Sequence, residues 1–253
     1  MYAPERQKRI LDLARSVGRV EVTGLAEDLG VTAETVRRDL TALERRGFVR
    51  RVHGGALPVD RLEVEPTVAT RLGQASAEKV RIAQRALEEL PDEGTVLLDS
   101  GTTTQAIADR FPTDRALTVV TNSVTIAATL SEHDRVDLYL LGGRVRQRTG
   151  AAVGEWLLDA LTDVIVDVAF LGTNGYSVGR GMSTPDQAEA AAKRAMTLAA
   201  RRAIVVSDAT KAGQEHFHRF ARLEEIALLV TDTNLDDETA AQLDAAGTDV
   251  VRA

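Results

Sequence analysis

Residues 32–40 read T-A-E-T-V-R-R-D-L and have the pattern expected at the start of an amphipathic helix. Thr32 is a good N-cap, because its side-chain oxygen can accept the backbone N–H of Thr35, three residues further on. Beyond the cap, apolar residues recur at i, i+4 and i+7, namely Val36, Leu40 and Leu43. The sequence therefore predicts a short helix that begins after Thr32 and buries one of its faces.

The polar side of this helix offers groups that suit DNA. Thr35, Arg37 and Arg38 lie off the apolar stripe and close to the helix start. A hydroxyl and two guanidinium groups at that place fit the major groove, where such side chains contact base edges. A solvated arginine pair on a surface helix is the ordinary alternative, so the flanking sequence has to decide between the two.

The flanking sequence predicts a winged helix-turn-helix. Residues 5–16 have helical apolar spacing, and residues 22–29 are expected to form a second short helix with Thr23 as its cap. Gly30 then supplies the tight turn, since glycine tolerates the left-handed conformation at a helix end. After the third helix ends at a glycine, residues 48–55 read as a strand and a glycine turn, which together make a wing. We expect DNA contacts from helix and wing by Thr32, Thr35, Arg37, Arg38, Arg50, Arg51 and His53.

Charge is distributed unevenly along the 253 residues, whose net charge is −7. Residues 1–56 contain 11 basic and 8 acidic residues, a net charge of +3, whereas residues 57–253 have a net charge of −10. A basic excess confined to the first part fits a DNA-binding domain. Because +3 is modest, tight binding to one operator would need several copies of the chain. We therefore expect a homo-oligomer, a dimer or a tetramer, formed through the larger domain.

Composition argues against several classes of protein. There is no cysteine, which excludes a disulfide framework and a thiolate metal site. The first residues are not followed by an apolar leader, and no apolar run approaches the length that spans a membrane. We expect a cytoplasmic protein with no membrane partner, no metal and no cofactor.

After the wing, the chain reads as a linker and then an α/β domain. Residues 57–75 contain two prolines and weak periodicity, and they separate a DNA-binding domain at 1–56 from a larger domain at 76–253. In the larger domain, short apolar strands alternate with helices, which predicts a Rossmann-like, mostly parallel sheet covered on both faces. Strands are expected at 95–98, 117–121, 136–141, 166–171, 203–206, 226–231 and 250–251, and helices at 77–90, 103–111, 123–130, 155–161 and 185–202.

The loops that follow these strands suit an anion. Ligands of parallel sheets bind at the carboxyl ends of the strands. Gly101 would let the backbone approach a ligand, and the hydroxyls beside it, at a helix start, offer donors. Glycine, serine and asparagine are ordinary in any single turn, but five such loops at one edge favour a small phosphorylated polyol. The loops contribute Asp99, Ser100, Gly101, Thr102, Thr103, Thr104, Asn122, Gly142, Gly143, Gly172, Asn174, Asp208 and Lys211.

Lysine is rare in this chain, so its positions are informative. Only 4 of the 31 basic residues are lysine, and three of the four lie in the larger domain. A compact ammonium group is a reasonable partner for phosphate. We expect Lys211 and Lys79 to be linked to ligand binding; Lys193, also a candidate, lies in the middle of a helix, where its side chain reaches either a neighbour or only water. Trp156, the sole tryptophan, is expected to pack in the core or at an interface.

Several motifs together resemble the DeoR family of bacterial transcription regulators. They include T-V-R-R-D-L at 35–40, R-x-H-G-G-A at 51–56, L-D-S-G-T-T-T at 98–104, A-F-L-G-T-N-G at 169–175 and S-D-A-T-K at 207–211. The resemblance covers almost the whole chain. It implies a C-terminal sensor domain similar in fold to ribose-5-phosphate isomerase. It also implies a repressor of carbohydrate genes that leaves its double-stranded operator DNA when a sugar phosphate binds.

An active sugar-phosphate isomerase with an appended DNA-binding module is the main alternative. Aldose–ketose isomerisation needs a carboxylate base beside the substrate carbon. The isomerase family carries an acidic run after its fourth strand, but the corresponding residues 171–175 read L-G-T-N-G. Glu189 is the remaining candidate base, and we interpret it as a solvated helix residue. The sequence therefore favours binding without turnover. A third interpretation, in which the winged helix contacts protein, could be separated by a gel shift.

Overall fold

The computed structural model of the chain describes residues 2–45, 48–52, 54–58, 68, 71 and 74–253. The chain divides into two compact units, Met1–Leu62 and Glu63–Ala253. The first has one hydrophobic core and the second has two. The division between the units falls inside the predicted linker, whose own bounds stay a prediction.

The first unit combines helices with a small antiparallel sheet. Its helices are α1 (Ala3–Val17), α2 (Val22–Leu29) and α3 (Ala33–Arg45), and its strands are β1 (Val20–Glu21), β2 (Val49–Val52) and β3 (Gly55–Pro58). The strands lie in the order β1-β3-β2. Val36, Leu40 and Leu43 are buried in the core of this unit, which confirms the apolar face predicted for the third helix.

The turn between α2 and α3 has the predicted geometry. Gly30 ends α2 in the left-handed region with φ 63°, and the Thr32 hydroxyl oxygen accepts the backbone N–H of Thr35 at 3.2 Å. The predicted cap at Thr23 is wrong, because α2 already begins at Val22. The N–H of Val22 donates to the carbonyl of Gly54 at 2.9 Å, so contact with the wing sets where this helix starts.

The wing is an antiparallel hairpin of β2 and β3. The strand β3 continues to Pro58 and so includes the first two residues of the predicted linker. On its other side, β3 pairs with β1, which the sequence did not predict because two residues are too few to show a pattern. A side chain at Gly55 would bring its Cβ to 2.0 Å from the carbonyl oxygen of Val20, so this pairing requires glycine.

The second unit is built on one seven-stranded sheet, and every pairing in it is parallel. Its strands are β4 (Gly94–Leu98), β5 (Leu117–Thr121), β6 (Val136–Leu140), β9 (Val166–Leu171), β12 (Ala200–Val206), β14 (Leu228–Thr231) and β15 (Asp249–Arg252). They lie in the order β15-β14-β12-β9-β4-β5-β6. The fold class predicted from the sequence is confirmed. The strand order reverses between β4 and β9, and a crevice opens at the carboxyl ends of strands at such a point.

Helices cover both faces of this sheet. They are α4 (Ser76–Leu87), α5 (Thr102–Ala108), α6 (Val124–Leu130), α7 (Glu155–Leu161), α8 (Gln187–Ala199) and α9 (Asp237–Ala245). In β4, Leu97 belongs to one buried cluster while Val96 and Leu98 belong to the other. Burial on both faces explains why the strand reads as a continuous apolar run. None of the described helices is both long and apolar enough to cross a membrane.

The sequence placed the boundary between α8 and β12 too late. The predicted helix at 185–202 ends at Ala199, and β12 begins at Ala200, which pairs with Val166 of β9. Pairing with the neighbouring strand outweighs the local helical preference there. Short strands that the sequence did not predict are β7 (Arg144–Val145), β8 (Ala152–Val153), β10 (Gly175–Ser177), β11 (Gly181–Thr184) and β13 (His218–Ala221), and the helix α9 was also missed.

Trp156 does not lie in the core of the second unit. It is 77% exposed at the start of α7, whereas Leu157 and Leu161 are the buried residues of that helix. The expectation of core packing is therefore wrong, because Leu157 and Leu161 form the buried side of α7 and Trp156 does not lie on it. Only its assignment to an interface stays a prediction.

Candidate DNA-binding surface and effector site

The start of α3 presents its basic side chains to solvent. The side chains of Arg37 and Arg38 are 55% and 81% exposed. Their nearest carboxylate is that of Glu34, at 3.6 and 3.9 Å, which makes loose, exposed ion pairs that contribute little. The hydroxyls of Thr32 and Thr35 lie 2.9 Å apart beside them. This end of the helix therefore offers guanidinium and hydroxyl groups that a DNA duplex could bind.

Asp39, which the sequence analysis did not single out, fastens this helix to the rest of the unit. It is 3% exposed, and it accepts hydrogen bonds from Arg6 Nε at 2.5 Å and Gln7 Nε2 at 3.0 Å. The signal was present in the sequence, because Asp39 comes three residues after Val36 and so falls on the buried face. A buried carboxylate that is paired in this way sets how α3 packs against α1.

The structure turns Arg51 of the wing towards α3. Its guanidinium donates to the hydroxyl of Thr41 at 3.1 Å, and its backbone N–H donates to Glu44 Oε1 at 2.9 Å. These contacts hold β2 against the helix, so a DNA contact by Arg51 stays a prediction. The side chain of Arg50 and the whole of His53, both predicted DNA contacts, lie outside the described residues.

In the second unit, a buried ion pair lies at the switch point of the sheet. Asp99 follows β4, and its Oδ2 accepts from Lys193 Nζ and from the N–H of Gly172 at 3.0 Å. Lys193, 4% exposed on α8, also donates to the carbonyl of Gly172 at 2.9 Å. Burial raises the pKa of Asp99, and the neighbouring Lys193 ammonium opposes that effect. Asp99 and Lys193 thus link the ends of β4 and β9, the two strands on either side of the reversal. The sequence predicted each of the two residues as a site residue but not their contact.

A second set of polar contacts surrounds Ser100. Its N–H donates to Asn122 Oδ1 at 2.9 Å, and the amide of Asn122 donates to the carbonyl of Ala152 at 3.1 Å. The Ser100 hydroxyl donates to the carbonyl of Thr149 at 2.9 Å. Both carbonyls belong to the end of the β7–β8 hairpin, so this hairpin lies at the same edge of the sheet as the loops after β4 and β5.

The hydroxyl-rich segment after Ser100 is held close to the protein. Thr102, Thr103 and Thr104 are all buried at the start of α5, and the Thr104 hydroxyl donates to the carbonyl of Gly101 at 3.0 Å. The backbone of Gly101 is extended, with φ 170°, a conformation open to any residue. A Cβ there would, however, come within 3.1 Å of the Thr104 hydroxyl oxygen. Glycine is therefore needed at this position because there is little room for a side chain, and not because of its backbone conformation.

Glu189 is not a solvated helix residue, and that interpretation is wrong. It is 5% exposed, and one of its oxygens accepts from Thr149 Oγ1 at 2.5 Å and from the guanidinium of Arg146. Arg146 also pairs with Asp186 at 3.1 Å. Glu189 lies one helical turn before Lys193 on α8, so the same face of this helix holds both the β7–β8 hairpin and Asp99. Because the Glu189 carboxylate is occupied by Arg146 and Thr149, we interpret it as a residue that holds the β7–β8 hairpin in place and not as a general base.

Lys79 belongs to a different group, near the end of β12. It is 6% exposed, and its ammonium donates to the carbonyls of Arg71 at 2.7 Å and Gln74 at 2.6 Å. Burial lowers the pKa of Lys79, and the charge of Asp208 opposes that effect. Asp208 is itself 5% exposed and accepts the N–H of Thr210 at 3.2 Å at the start of the short 3₁₀ helix Ala209–Lys211.

Of the remaining predicted residues, Gly143 and Asn174 have packing roles in the structure and Gly142 does not. Gly143 has φ 138°, and a Cβ there would lie 2.6 Å from the carbonyl oxygen of Val153. The buried side chain of Asn174 accepts from the hydroxyl of Thr184 at 2.9 Å. Gly142 is exposed, and nothing lies near the position of its missing side chain. Effector contacts by these three residues stay predictions. In the described parts of the chain, no group of three or more acidic or histidine side chains could hold a metal ion.

A winged helix-turn-helix unit, followed by an α/β unit with polar side chains at the switch point of its parallel sheet, is the architecture of a DNA-binding regulator. A family model described as the DeoR-like helix-turn-helix domain matches residues 6–61, and one described as the DeoR C terminal sensor domain matches residues 74–233. The chain belongs to the DeoR family of transcriptional regulators.

Curated relatives extend over nearly the whole chain. It is 39% identical over 251 residues to the HTH-type transcriptional regulator GlpR of Haloferax volcanii, which covers 99% of this chain and 98% of that protein. It is 30% identical to the glycerol-3-phosphate regulon repressor of Escherichia coli, over 92% of each chain. Among solved structures, ribose 5-phosphate isomerase A of Methanocaldococcus jannaschii matches 55% of each chain with 14% identity and a TM-score of 0.41. Because the curated relatives are named as regulators, the chain is a DNA-binding transcriptional regulator and not an enzyme.

Proposed function

We propose that this protein is a cytoplasmic, homo-oligomeric repressor of carbohydrate-metabolism genes and that a phosphorylated sugar releases it from its operator. The observation that carries the proposal is the ion pair of Asp99 and Lys193, buried at the switch point of a sheet in a chain that also has a DNA-binding unit. The names of relatives support the kind of gene, since they refer to a glycerol-3-phosphate regulon and to an aga operon.

The chemistry of the crevice suits a sugar phosphate. Asp99 and Asn122 offer oxygen acceptors for sugar hydroxyls, while the backbone and hydroxyls of residues 100–104 offer donors. Lys193 neutralises the carboxylate of Asp99 beside these groups, so Asp99 would not repel an anionic ligand. Lys79 and Lys211, near the end of β12, place two further ammonium groups at the carboxyl edge of the sheet, where a phosphate could be bound. A ligand with several hydroxyls and a doubly charged phosphate would use both kinds of group.

Operator binding tests the DNA half of the proposal. Arg37→Ala or Arg38→Ala is expected to weaken operator binding by about 1–3 kcal/mol if the arginine contacts a base. A base contact would also relax the preference at one base pair, whereas a phosphate contact would weaken binding to all sequences alike. Titration of labelled operator variants measures both effects. Lys8→Ala, which removes an exposed cation from α1, is the matched control, and wild-type affinity in both arginine variants would refute this mode of binding.

Release by a sugar phosphate tests the other half. A thermal-shift screen of sugar phosphates should identify a ligand that stabilises the full chain and dissociates it from operator. Gly101→Val is then expected to abolish binding of that ligand while operator affinity is kept, because the added side chain crowds Thr104 and the crevice. Calorimetric titration measures the loss. Gly179→Val is the control, since nothing lies near a Cβ at that position, and unchanged ligand affinity in Gly101→Val would place the site elsewhere.

A further inference from the structure

The β7–β8 hairpin accepts hydrogen bonds from two parts of the chain that are distant in sequence. The hydroxyl of Ser100, which follows β4, donates to the carbonyl of Thr149 at 2.9 Å. The backbone N–H of Val68 donates to the carbonyl of Arg148 at 3.0 Å. Ser100 is a proposed effector residue, whereas Val68 lies in the predicted linker at residues 57–75. Two consecutive carbonyls of the hairpin therefore connect the proposed effector site with the predicted linker.

The turn that holds these two carbonyls is closed by its own backbone. The carbonyl of Arg146 accepts the N–H of Gly150 at 2.8 Å, and the N–H of Arg146 donates to the carbonyl of Ala151, also at 2.8 Å. Because both bonds span the turn, its residues are held in one conformation. A displacement of Thr149 is therefore passed on to the neighbouring carbonyl of Arg148.

The hairpin is not part of the large sheet. Within the part of the chain that the structure describes, β7 and β8 pair only with each other. The hairpin is joined instead to the loop after β5, where the N–H of Ala152 donates to the carbonyl of Asn122 at 2.8 Å and the N–H of Val124 donates to the carbonyl of Gly150 at 3.3 Å. Asn122 is also a proposed effector residue. The hairpin can therefore move with this loop while every strand of the seven-stranded sheet keeps its partners.

The contact with Ser100 provides a reason for such a movement. Thr149 is 5% exposed, and among the described residues the Ser100 hydroxyl is the donor to its carbonyl. The Thr149 side chain is bound separately, since its hydroxyl donates to Glu189 at 2.5 Å. A buried carbonyl that loses its donor costs free energy until it finds another partner. Loss of the Ser100 hydrogen bond would therefore favour a different position of the turn.

We propose that the β7–β8 hairpin transmits effector binding to the predicted linker through the hydrogen bond between Val68 and Arg148. A sugar phosphate bound beside Ser100 offers acceptors to its hydroxyl and draws it away from Thr149. The hairpin then shifts and changes the contact with Val68, which gives the chain two states that the effector distinguishes. This inference rests on the proposed function, from which it takes the effector and its site. Lys79 holds other atoms of the predicted linker, so the two contacts can be tested separately.

Operator affinity in the absence of any sugar phosphate tests the inference, because Ser100→Ala removes the same hydroxyl that an effector would engage. Titration of labelled operator DNA compares the full-length wild type, Ser100→Ala, Val68→Pro and the double variant. Ser100→Ala is expected to weaken operator binding by about 2- to 12-fold, the range that one neutral hydrogen bond allows. Val68→Pro lacks the donating N–H, so adding Ser100→Ala to it should have no further effect on operator affinity.

Val68→Ala is the matched control, because it shortens the side chain but keeps the N–H. In the Val68→Ala background, Ser100→Ala should weaken operator binding as much as it does in the wild type. Wild-type operator affinity in Ser100→Ala would overturn the inference. The same conclusion would follow if Ser100→Ala caused equal losses in the Val68→Pro and Val68→Ala backgrounds, since the effect would then bypass the Val68 hydrogen bond.

Hydrogen exchange of the Val68 amide, followed by NMR, reports the contact directly. Exchange should be faster in Ser100→Ala than in the wild type, and an unchanged rate would also count against transmission through the hairpin. This measurement needs no proline variant, so it decides even if Val68→Pro does not fold. No sugar phosphate is used in either experiment. The inference can therefore fail while sugar phosphates still release the operator, and release can fail while Ser100 and Val68 remain coupled.

Discussion

Replacing Lys193 with methionine is expected to destabilise the second unit by about 3–5 kcal/mol, the cost of leaving a buried charge without its partner. Asp99 is 2% exposed and would keep only the N–H of Gly172 as a described partner for the oxygen that now accepts from Lys193. Methionine keeps most of the length and the apolar stem of lysine, so the loss reports the charge rather than a cavity. Urea unfolding measures the change, and hydrogen exchange of the amides in β4 and β9 assigns it to this unit.

The double variant Asp99→Asn with Lys193→Met should recover much of that loss, because it removes both charges together. Arg194→Met is the matched control: it removes a neighbouring cation on α8 whose side chain is 41% exposed and pairs with Glu225 at 2.6 Å. An exposed pair of this kind contributes at most about 1 kcal/mol. If Lys193→Met costs no more than Arg194→Met, the pair with Asp99 is not what holds the switch point together.

Lys79→Met is expected to give a regulator that binds its operator but is released poorly by effector. The Lys79 ammonium donates to the carbonyls of Arg71 and Gln74, which fall in the predicted linker at residues 57–75. A bound phosphate would compete with these carbonyls for the ammonium group. An effector can change DNA affinity only by favouring one state of the chain over another, and a lysine that exchanges carbonyls for phosphate provides such a difference.

The measurement is operator dissociation as a function of effector concentration, with direct effector binding measured in parallel. In Lys79→Met the release curve should shift to higher concentration or lose amplitude by more than the change in binding explains. Arg81→Met, which removes an exposed cation two residues further along α4, should behave as wild type. A Lys79→Met protein released at wild-type concentrations and to the same extent would show that another element carries the coupling.

What the sequence predicted well depends on local physics. The cap at Thr32, the turn at Gly30 and the buried stripe of α3 follow from residues only a few positions apart, so their pattern is complete within one segment. The alternation of apolar strands and helices likewise indicated a parallel sheet, because strands buried on both faces need apolar residues throughout. Once the sheet was known to be parallel, the loops that follow its strands could be assigned to one common edge.

What the sequence could not predict depends on contacts between distant segments. Lys193 reaches Asp99 because β4 and β9 are neighbours in the sheet, and Glu189 is buried because the β7–β8 hairpin folds against α8. In both cases the two contacting residues are too far apart in the sequence for a local pattern to connect them. Trp156 shows the reverse case, since packing in the core was one of the two placements expected for it and its side chain is exposed. Side-chain partners, unlike secondary structure, are set by which loops the sheet order brings together.

The reversal of strand order between β4 and β9 also governs the order in which the second unit can fold. During synthesis β4, β5 and β6 emerge first and can pair in sequence, but the other edge of β4 waits for β9, since Val96 pairs with Val168. Pairing over such a separation is slow compared with local contacts. Until β9 is made, β4, an apolar strand in the interior of the final sheet, has an open edge that other nascent chains could bind. The described helices and strands of the first unit all lie within residues 3–58, so the partners of its own sheet are available earlier in synthesis.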